Sequence, residues 1–489
     1  MSLLIVPLEA CSPAGRGNQM HDRTATPKPL VSALPELKGS GRDLRIDACR
    51  GVALWCIFLD HVPNNIGSWL TLRNYGFSDA AEVFMFVSGV TCALAYGKVW
   101  RCEGWTGVIR RTLRRSWDIY AAFLLLTLSC AILVYLAGGD RLADESNTRI
   151  LLDQPGATLV HAAILLYCPV NTDVLPIFVL LHLLFAPLLW LLLRGPNVML
   201  GASLALYALV HVFGWTIPAW PSGHWAFNPL AWQLLVVLGA WWMIEGERVR
   251  PWVTSRLALV PAVLYLVFSL IIALSWRITL LDGIVPQTLL KLFYPMDKSN
   301  LDPLRLLHFL ALAVLAVWLV PPNRRGLTAT VMRGAILCGK NSLPIYCLGV
   351  LLTLVSVLAL LDVSEGLPMQ IALSVAGVLM MIVAATLLNL IKIRPSQQLT
   401  VAVPMGVRAE QEGWGAVGWR AWSRFAEGQA NSDGPAARTS SPISGLRRGQ
   451  PRKLPDLLDE FGRAQGGWAS PKPAAMAAKN TTATVPVGI

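Results

Sequence analysis

The amino-acid sequence predicts an all-α, polytopic integral membrane protein with about ten transmembrane helices. Hydrophobic residues make up 54% of the 489 residues and charged residues only 14%, whereas an ordinary soluble domain carries about 25% charged residues. The chain also contains 19 tryptophans, a residue that concentrates at membrane interfaces. The lipid bilayer is therefore the expected environment of this chain.

Apolar runs of near-spanning length supply the helix count, since a transmembrane helix needs about 20 residues. One run, 157–170, is short and contains His161 and Cys168-Pro169. We predict that it is a re-entrant or interfacial segment on the outer side and that the other ten runs span. The runs lie near 47–64, 80–97, 117–137, 157–170, 174–193, 198–214, 230–245, 253–275, 304–321, 342–361 and 369–391.

The distribution of Lys and Arg predicts the orientation, because cytoplasmic loops are enriched in both. Segments 215–229 and 362–368 contain neither residue, which places them outside. Segment 98–116 is strongly basic and therefore cytoplasmic. If 157–170 does not span, the basic loops 246–256, 322–340 and 392–394 also lie inside, as do both termini. The basic residues of 98–116 are Lys98, Arg101, Arg110, Arg111, Arg114 and Arg115.

The chain divides into three predicted parts. Residues 1–42 form a flexible cytoplasmic leader, residues 43–393 the transmembrane domain, and residues 394–489 a disordered cytoplasmic tail. The tail is rich in Gly, Ala, Pro, Ser and Arg and has no periodic apolar pattern. The formal charge of +12 would suggest nucleic acid in a soluble protein. Here topology and the tail explain most basic residues, so we expect no nucleic-acid partner.

The first predicted helix carries ionisable residues at both ends, in the stretch DLRIDACRGVALWCIFLDH. Arg50 and His61 are eleven residues apart, so they share a helix face about 16 Å apart along the axis. Charged groups inside a bilayer are costly and mark functional sites by default. An anchoring ion pair between Asp47 and Arg50 at the inner interface is the alternative interpretation for that end.

Other polar residues are predicted at the membrane level of Asp60 and His61. Asp79 and Glu82 open the second helix, where acids suit the helix dipole and capping alone would explain Asp79. The remaining members lie at later helix starts, and together these residues predict a polar cavity near the outer surface. They are Asn228, Gln233, Arg305 and His308.

A histidine beside a carboxylate can act as general base toward a hydroxyl. The sequence has no P-loop, HExxH or GxSxG motif, so the hydrolase and ATPase classes have no support. Nine cysteines are scattered without a CxxC pair, and we infer neither a metal site nor a disulfide framework. A channel or transporter remains open, since polar helix ends serve those functions too.

The stretch RDLRIDACRGVALWCIFLDHVPNNIGSWLTLRNYGFSDAAEVFMFVSG resembles the opening of OpgC proteins, which belong with the membrane acyltransferases of type 3. Arg50 and His61 match the Arg-x10-His signature of that superfamily. FNPLAWQLL, LRLLHFLALA and GKNSLPIYCLG continue the resemblance, which covers about residues 42–392. It implies transfer of a succinyl group from succinyl-CoA inside to glucose hydroxyls of a periplasmic glucan outside, across the bacterial inner membrane.

The resemblance and the polar residues described above together predict the residues of the site. The catalytic candidates are His61 as base, with Asp60 and Glu82 as orienting carboxylates. Succinyl-CoA is a donor substrate, and no bound cofactor or metal is expected. The candidates for binding donor, sugar or developing oxyanion are Arg50, Arg73, Asp79, Asn228, Gln233, Arg305 and His308.

Two other functions fit the same residues. One is an acetyltransferase of the same architecture that acts on another surface polysaccharide. The other is a transporter of a glycan or an organic acid, which would form no ester. Direct transfer and transfer through an acyl-histidine are both open, and the sequence does not give the oligomeric state.

Overall fold

A computed structural model describes residues 44–137, 143, 147–169, 171–278, 285–319 and 330–400, with the side chains of 330 and 393–400 excepted. The predicted leader and most of the predicted tail lie outside these residues. The helices are α1 (Leu44–His61), α2 (Ala80–Ala137), α3 (Arg149–Asp153), α4 (Pro155–Ala163), α5 (Val174–Leu183), α6 (Phe185–Arg194), α7 (Pro196–Phe213), α8 (Pro229–Val253), α9 (Arg256–Arg277), α10 (Gln287–Phe293), α11 (Pro303–Leu319), α12 (Thr330–Lys340), α13 (Ser342–Asp362) and α14 (Leu367–Thr400).

The described part of the chain is helical and contains no β-strand, as the all-α prediction requires. Five helices are long and apolar enough to cross a membrane, or six if the bent pair α5 and α6, which meet at 56°, counts as one span. The five are α2, α7, α9, α13 and α14. Length and composition thus support a membrane protein, while the count of about ten spans stays a prediction.

Helix α2 joins two of the predicted spans. It is 58 residues long, about 87 Å at 1.5 Å per residue, which exceeds the ~30 Å hydrocarbon core of a bilayer. Gly104 breaks it with φ 69° and ψ −165°, a conformation that glycine adopts without steric cost. Beside the break, Glu103 accepts hydrogen bonds from Arg110, at 2.8 Å, and from Arg111. The predicted basic loop 98–116 is thus helical on both sides of Gly104.

The described part of the short run, residues 157–169, begins inside the nine-residue helix α4 and continues into the turn after it. Nine residues extend only about 14 Å, too short to cross the ~30 Å core. This agrees with the prediction that the run does not span.

Glycines bring α1 against α12 with backbone touching backbone. A Cβ at Gly51 would overlap the main-chain carbonyl of Ala335, and one at Gly339 would overlap that of Asp47. Small residues at such crossings let membrane helices approach closely and gain packing contacts. The helix that carries both Arg50 and His61 is therefore fixed against α12.

Helix α1 ends at His61, just before Pro63, and the chain then crosses to α2 through two short 3₁₀ helices, Ile66–Leu70 and Leu72–Asn74. Asn65 caps the first by accepting from the Gly67 amide at 3.0 Å, and Ser374 of α14 donates to the same Asn65 oxygen at 2.9 Å. This connection is thus tied to the last helix.

Candidate active site

An open pocket of about 470 Å³ lies at the C-terminal end of α1. Its wall combines apolar side chains with two acids, a histidine and two cations. Helices α1, α2 and α5 and the segments before α2, α8 and α11 all contribute. The lining residues are Ile57, Asp60, His61, Arg73, Asp79, Ala81, Phe84, Met85, Val174, Phe227 and Lys298.

The ring of His61 has a defined tautomer in its neutral form. Its Nδ1 lies 2.5 Å from the main-chain oxygen of Ile57, one turn earlier in α1. A carbonyl oxygen only accepts, so Nδ1 carries the proton and Nε2 keeps its lone pair. His61 therefore offers a proton acceptor at the pocket wall.

Asp60, the neighbour of His61, is held by the chain that follows α1. Its Oδ1 accepts from the Thr71 hydroxyl at 2.5 Å, and its main-chain oxygen accepts from Arg73 Nη1 at 2.6 Å. These contacts fix the end of α1. Asp60 and Arg73 thus lie beside His61, and both line the pocket.

Asp79 caps α2 and also joins an ion-pair network. Its Oδ1 accepts from the Ala81 amide at 2.8 Å, while its Oδ2 lies 2.7 Å from Lys298 Nζ and 3.2 Å from Arg305 Nη2. Burial by itself would raise the pKa of the Asp79 carboxyl, but the charges of Lys298 and Arg305 outweigh it and hold that pKa well below its usual range.

Glu82 and Arg305 lie behind the pocket wall. Glu82 is fully buried; its Oε2 accepts from the Asp79 amide at 2.9 Å, which completes a capping box. Its Oε1 lies 2.8 Å from Arg305 Nε and 2.5 Å from Nη2. Arg305 thus holds both acids in place, and neither Glu82 nor Arg305 lines the pocket.

His308 also lies outside the pocket lining. Its Nδ1 accepts from the Ser78 amide at 3.2 Å and contacts the Ser78 hydroxyl at 2.7 Å. Its ring packs so closely on Gly76 that a Cβ there would overlap it. His308 therefore anchors the turn that delivers Asp79 to the pocket.

Asn228 supports the turn that carries Lys298. Its side chain caps α8 through the Leu230 amide at 3.1 Å and donates to Asn300 Oδ1 at 2.8 Å. The amide of Asn228 donates to the Ser299 oxygen at 2.9 Å. Asn228 is thus close to the pocket through the turn, without lining it.

Gln233 makes a helix–helix contact instead of facing the pocket. Its Oε1 accepts from the Ser203 hydroxyl at 2.7 Å and its Nε2 donates to the Ser203 main-chain oxygen at 3.1 Å. These bonds connect α8 to α7. A role of Gln233 in substrate binding would require these bonds to be exchanged.

A second, smaller pocket of about 260 Å³ also has His61 in its lining. It shares Ile57 and His61 with the first pocket and is otherwise mostly apolar. Asn171, Tyr346 and Thr353 are its other polar members, and the apolar ones are Leu54, Phe58, Gly349, Val350 and Met381. His61 therefore lines both a charged pocket and a mostly apolar one.

The OpgC protein family matches residues 42–393, which is most of the chain. The chain belongs to the OpgC family. No curated protein and no solved structure matches it. Family membership supports a membrane acyltransferase of periplasmic glucan, and the resemblance noted in the sequence is confirmed.

Arg50 lies at the opposite end of α1 from the pocket of this OpgC chain. Its Nη2 donates to the Ser342 hydroxyl at the start of α13. With His61 about 16 Å away along the helix, Arg50 and the pocket are separate locations. The predicted role of Arg50 in donor binding therefore stays a prediction.

Lys298 is the charged residue of this pocket lining that the sequence pattern did not predict. The ammonium group lies 5.5 Å from the centre of the Phe227 ring and pairs with Asp79. One signal for it was available. Arg277 at the end of α9, and Lys291 and Lys298 between α9 and α11, lie in a region that the ten-helix topology puts outside, where the Lys/Arg bias gives them no explanation.

Proposed function

We propose that this protein is an O-succinyltransferase of the bacterial inner membrane, which moves a succinyl group from succinyl-CoA to glucose hydroxyls of a periplasmic glucan. Membership of the OpgC family supports the reaction class and the acceptor. The choice of succinyl-CoA as donor and of the bacterial inner membrane as location rests on the resemblance of the motifs around Arg50 and His61 to OpgC proteins.

The position of His61 is the observation that carries the proposal. Its Nδ1 proton is committed to the Ile57 oxygen, and its ring borders both pockets. A histidine that lines both a charged pocket and a mostly apolar one suits a reaction in which a polar acceptor meets an acyl group. A general base must lie within hydrogen-bond reach of the hydroxyl it deprotonates, and the first pocket offers that place.

In the direct reaction, Nε2 takes the proton of the glucose hydroxyl as that oxygen attacks the thioester carbonyl carbon. The C–S bond then breaks, and the imidazolium returns the proton to the departing CoA thiolate, so atoms and charge balance. Transfer through an acyl-histidine uses the same nitrogen as nucleophile and remains the alternative route.

The charged network around the pocket would support this chemistry. Lys298 lines the pocket with its side chain 39% exposed, while Arg305 and Asp79 are almost completely buried. A preorganised cation beside a developing oxyanion stabilises it without reorganisation during the reaction. We assign this role to Lys298 and give Asp79, Glu82 and Arg305 the role of holding it in place.

The proposal is tested with purified protein in liposomes, succinyl-CoA and glucan. Mass spectrometry of the glucan should show added succinyl esters that depend on the protein. Acetyl esters formed from acetyl-CoA in their place would favour the acetyltransferase alternative. Glycan or organic acid moved across the vesicle membrane without ester formation would favour the transporter.

A further inference from the structure

The charged groups in and behind the first pocket differ in how directly they are paired. The acids Asp79 and Glu82 are matched by the cations Lys298 and Arg305 in one closed network. The Asp60 carboxylate accepts from the Thr71 hydroxyl. Arg73 contacts the main-chain oxygen of Asp60 and, among the residues that the structure describes, forms no direct ion pair with a carboxylate.

Arg73 is exposed at the pocket and its guanidinium is sparsely used. One nitrogen, Nη1, donates to the main-chain oxygen of Asp60 at 2.6 Å, and in the described residues this is its only side-chain hydrogen bond. A guanidinium has five N–H donors and is permanently charged. Most of its binding capacity therefore remains for a ligand.

We infer that Arg73 binds the free carboxylate of a dicarboxylic acyl group and so selects the donor. This inference rests on the proposed function and names the chemistry of its acyl group. A guanidinium and a carboxylate form paired, charge-assisted hydrogen bonds, which are among the strongest in proteins. A simple acetyl group has no carboxylate for Arg73 to bind.

The contacts of Arg73 also restrict the length of the acyl group that can bind. The Arg73 guanidinium donates a hydrogen bond to the main-chain oxygen of Asp60, the residue before His61. The carboxylate-binding group and the base therefore keep a nearly constant separation. Arg277, at the end of α9, donates to the Arg73 main-chain oxygen at 3.0 Å and fixes it from the other side. This constant separation favours acyl groups with one particular distance between the carbonyl carbon and the free carboxylate. Shorter and longer diacids should fit less well.

The test compares acyl donors in the liposome assay. Succinyl-CoA, glutaryl-CoA and acetyl-CoA are supplied in turn to wild type, Arg73→Gln and Arg73→Lys. For Arg73→Gln we expect the ratio of kcat/KM for succinyl-CoA to kcat/KM for acetyl-CoA to fall about 10- to 100-fold, the usual loss for a hydrogen bond to a charged group. Arg73→Lys should recover part of the succinyl activity. Lys291→Gln, an exposed change on α10 away from the pocket lining, is the matched control.

Three results would overturn the inference. Equal loss with succinyl-CoA and acetyl-CoA would mean that Arg73 only positions the end of α1. A change confined to product inhibition by glucan that already carries succinyl groups would assign Arg73 to the product carboxylate. A wild type that transfers no acyl group refutes the proposed function itself, which separates that failure from a failure of the role of Arg73.

Discussion

The Nζ of Lys298 lies 2.7 Å from Oδ2 of Asp79 and bridges 219 positions of sequence. The contact joins the turn before α11 to Asp79, the residue that caps the N-terminus of α2. Trp232 of α8 donates its indole N–H to the main-chain oxygens of Lys298 and Ser299, both at 3.1 Å. The pair is therefore supported from several helices, and it defines one wall of the pocket beside His61.

Asp79→Asn should destabilise the protein in a pH-dependent way. Removing one partner of a buried ion pair costs about 3–5 kcal/mol, and Asp79 is only 7% exposed. The pKa of Asp79 is lowered in the folded protein. Its contribution is therefore complete above the ordinary carboxyl pKa of about 3.9 and is lost as the pH falls through the folded value.

Thermal unfolding in detergent between pH 3 and pH 7 checks this prediction. The difference between wild type and Asp79→Asn should be constant above pH 5 and shrink below about pH 4. Asp153→Asn, an exposed position at the end of α3, should leave stability nearly unchanged at every pH. A difference for Asp79→Asn that stays the same at pH 3 contradicts the ion-pair explanation.

Gly339→Ala should separate α1 from α12. The added Cβ would overlap the main-chain oxygen of Asp47, which has no rotamer by which to move away. Overpacking of this kind typically costs about 1–3 kcal/mol. Gly201→Ala on α7 is the matched control, because nothing lies near its added Cβ. Folded yield and melting temperature should fall for Gly339→Ala alone, and equal behaviour of the two variants would argue against the close crossing.

Arg50→Lys should weaken donor binding more than glucan binding. Lysine keeps the charge but loses the planar fork that grips phosphate or carboxylate with two hydrogen bonds. We expect the KM for succinyl-CoA to rise and the KM for glucan to stay constant, with Arg114→Lys in the exposed basic segment as control. An unchanged donor KM in a folded Arg50→Lys protein would remove Arg50 from the donor site.

Residues 98–116 should be cytoplasmic and residues 215–229 periplasmic. In a cysteine-free background, Ser222→Cys should react with an impermeant thiol reagent from outside. Thr106→Cys should react only after the membrane is permeabilised. Labelling of Ser222→Cys only after permeabilisation would overturn the ten-helix topology.

Short-range sequence relationships were enough to select four residues of the pocket lining as candidates. The spacing of Asp60 and His61 from Arg50 places the two levels of α1, and the acids of the α2 cap follow from local capping rules. These are short-range relationships. The pocket lining accordingly contains Asp60, His61, Arg73 and Asp79, all from one stretch of 20 residues.

The positions of the other candidate residues depend on contacts between segments that are far apart in the sequence. A helical rise of 1.5 Å per residue predicts depth in the membrane but gives no direction around the bundle. Glu82, Arg305 and His308 share the expected depth, yet the first two pair with each other and the third contacts Ser78, 230 positions away. Lys298 comes from a turn without periodicity, so its approach to Asp79 was not predictable from local pattern.

Ester formation by the His61→Ala variant tests the catalytic role of His61 most directly. The variant is purified, reconstituted and checked for folding by its melting temperature, and succinyl esters on glucan are then counted by mass spectrometry. A positioned general base contributes about 10²- to 10⁴-fold, or roughly 3–5 kcal/mol of barrier. We predict a loss in that range or complete inactivity in a folded protein. Succinylation at a near-normal rate by folded His61→Ala would contradict the mechanism.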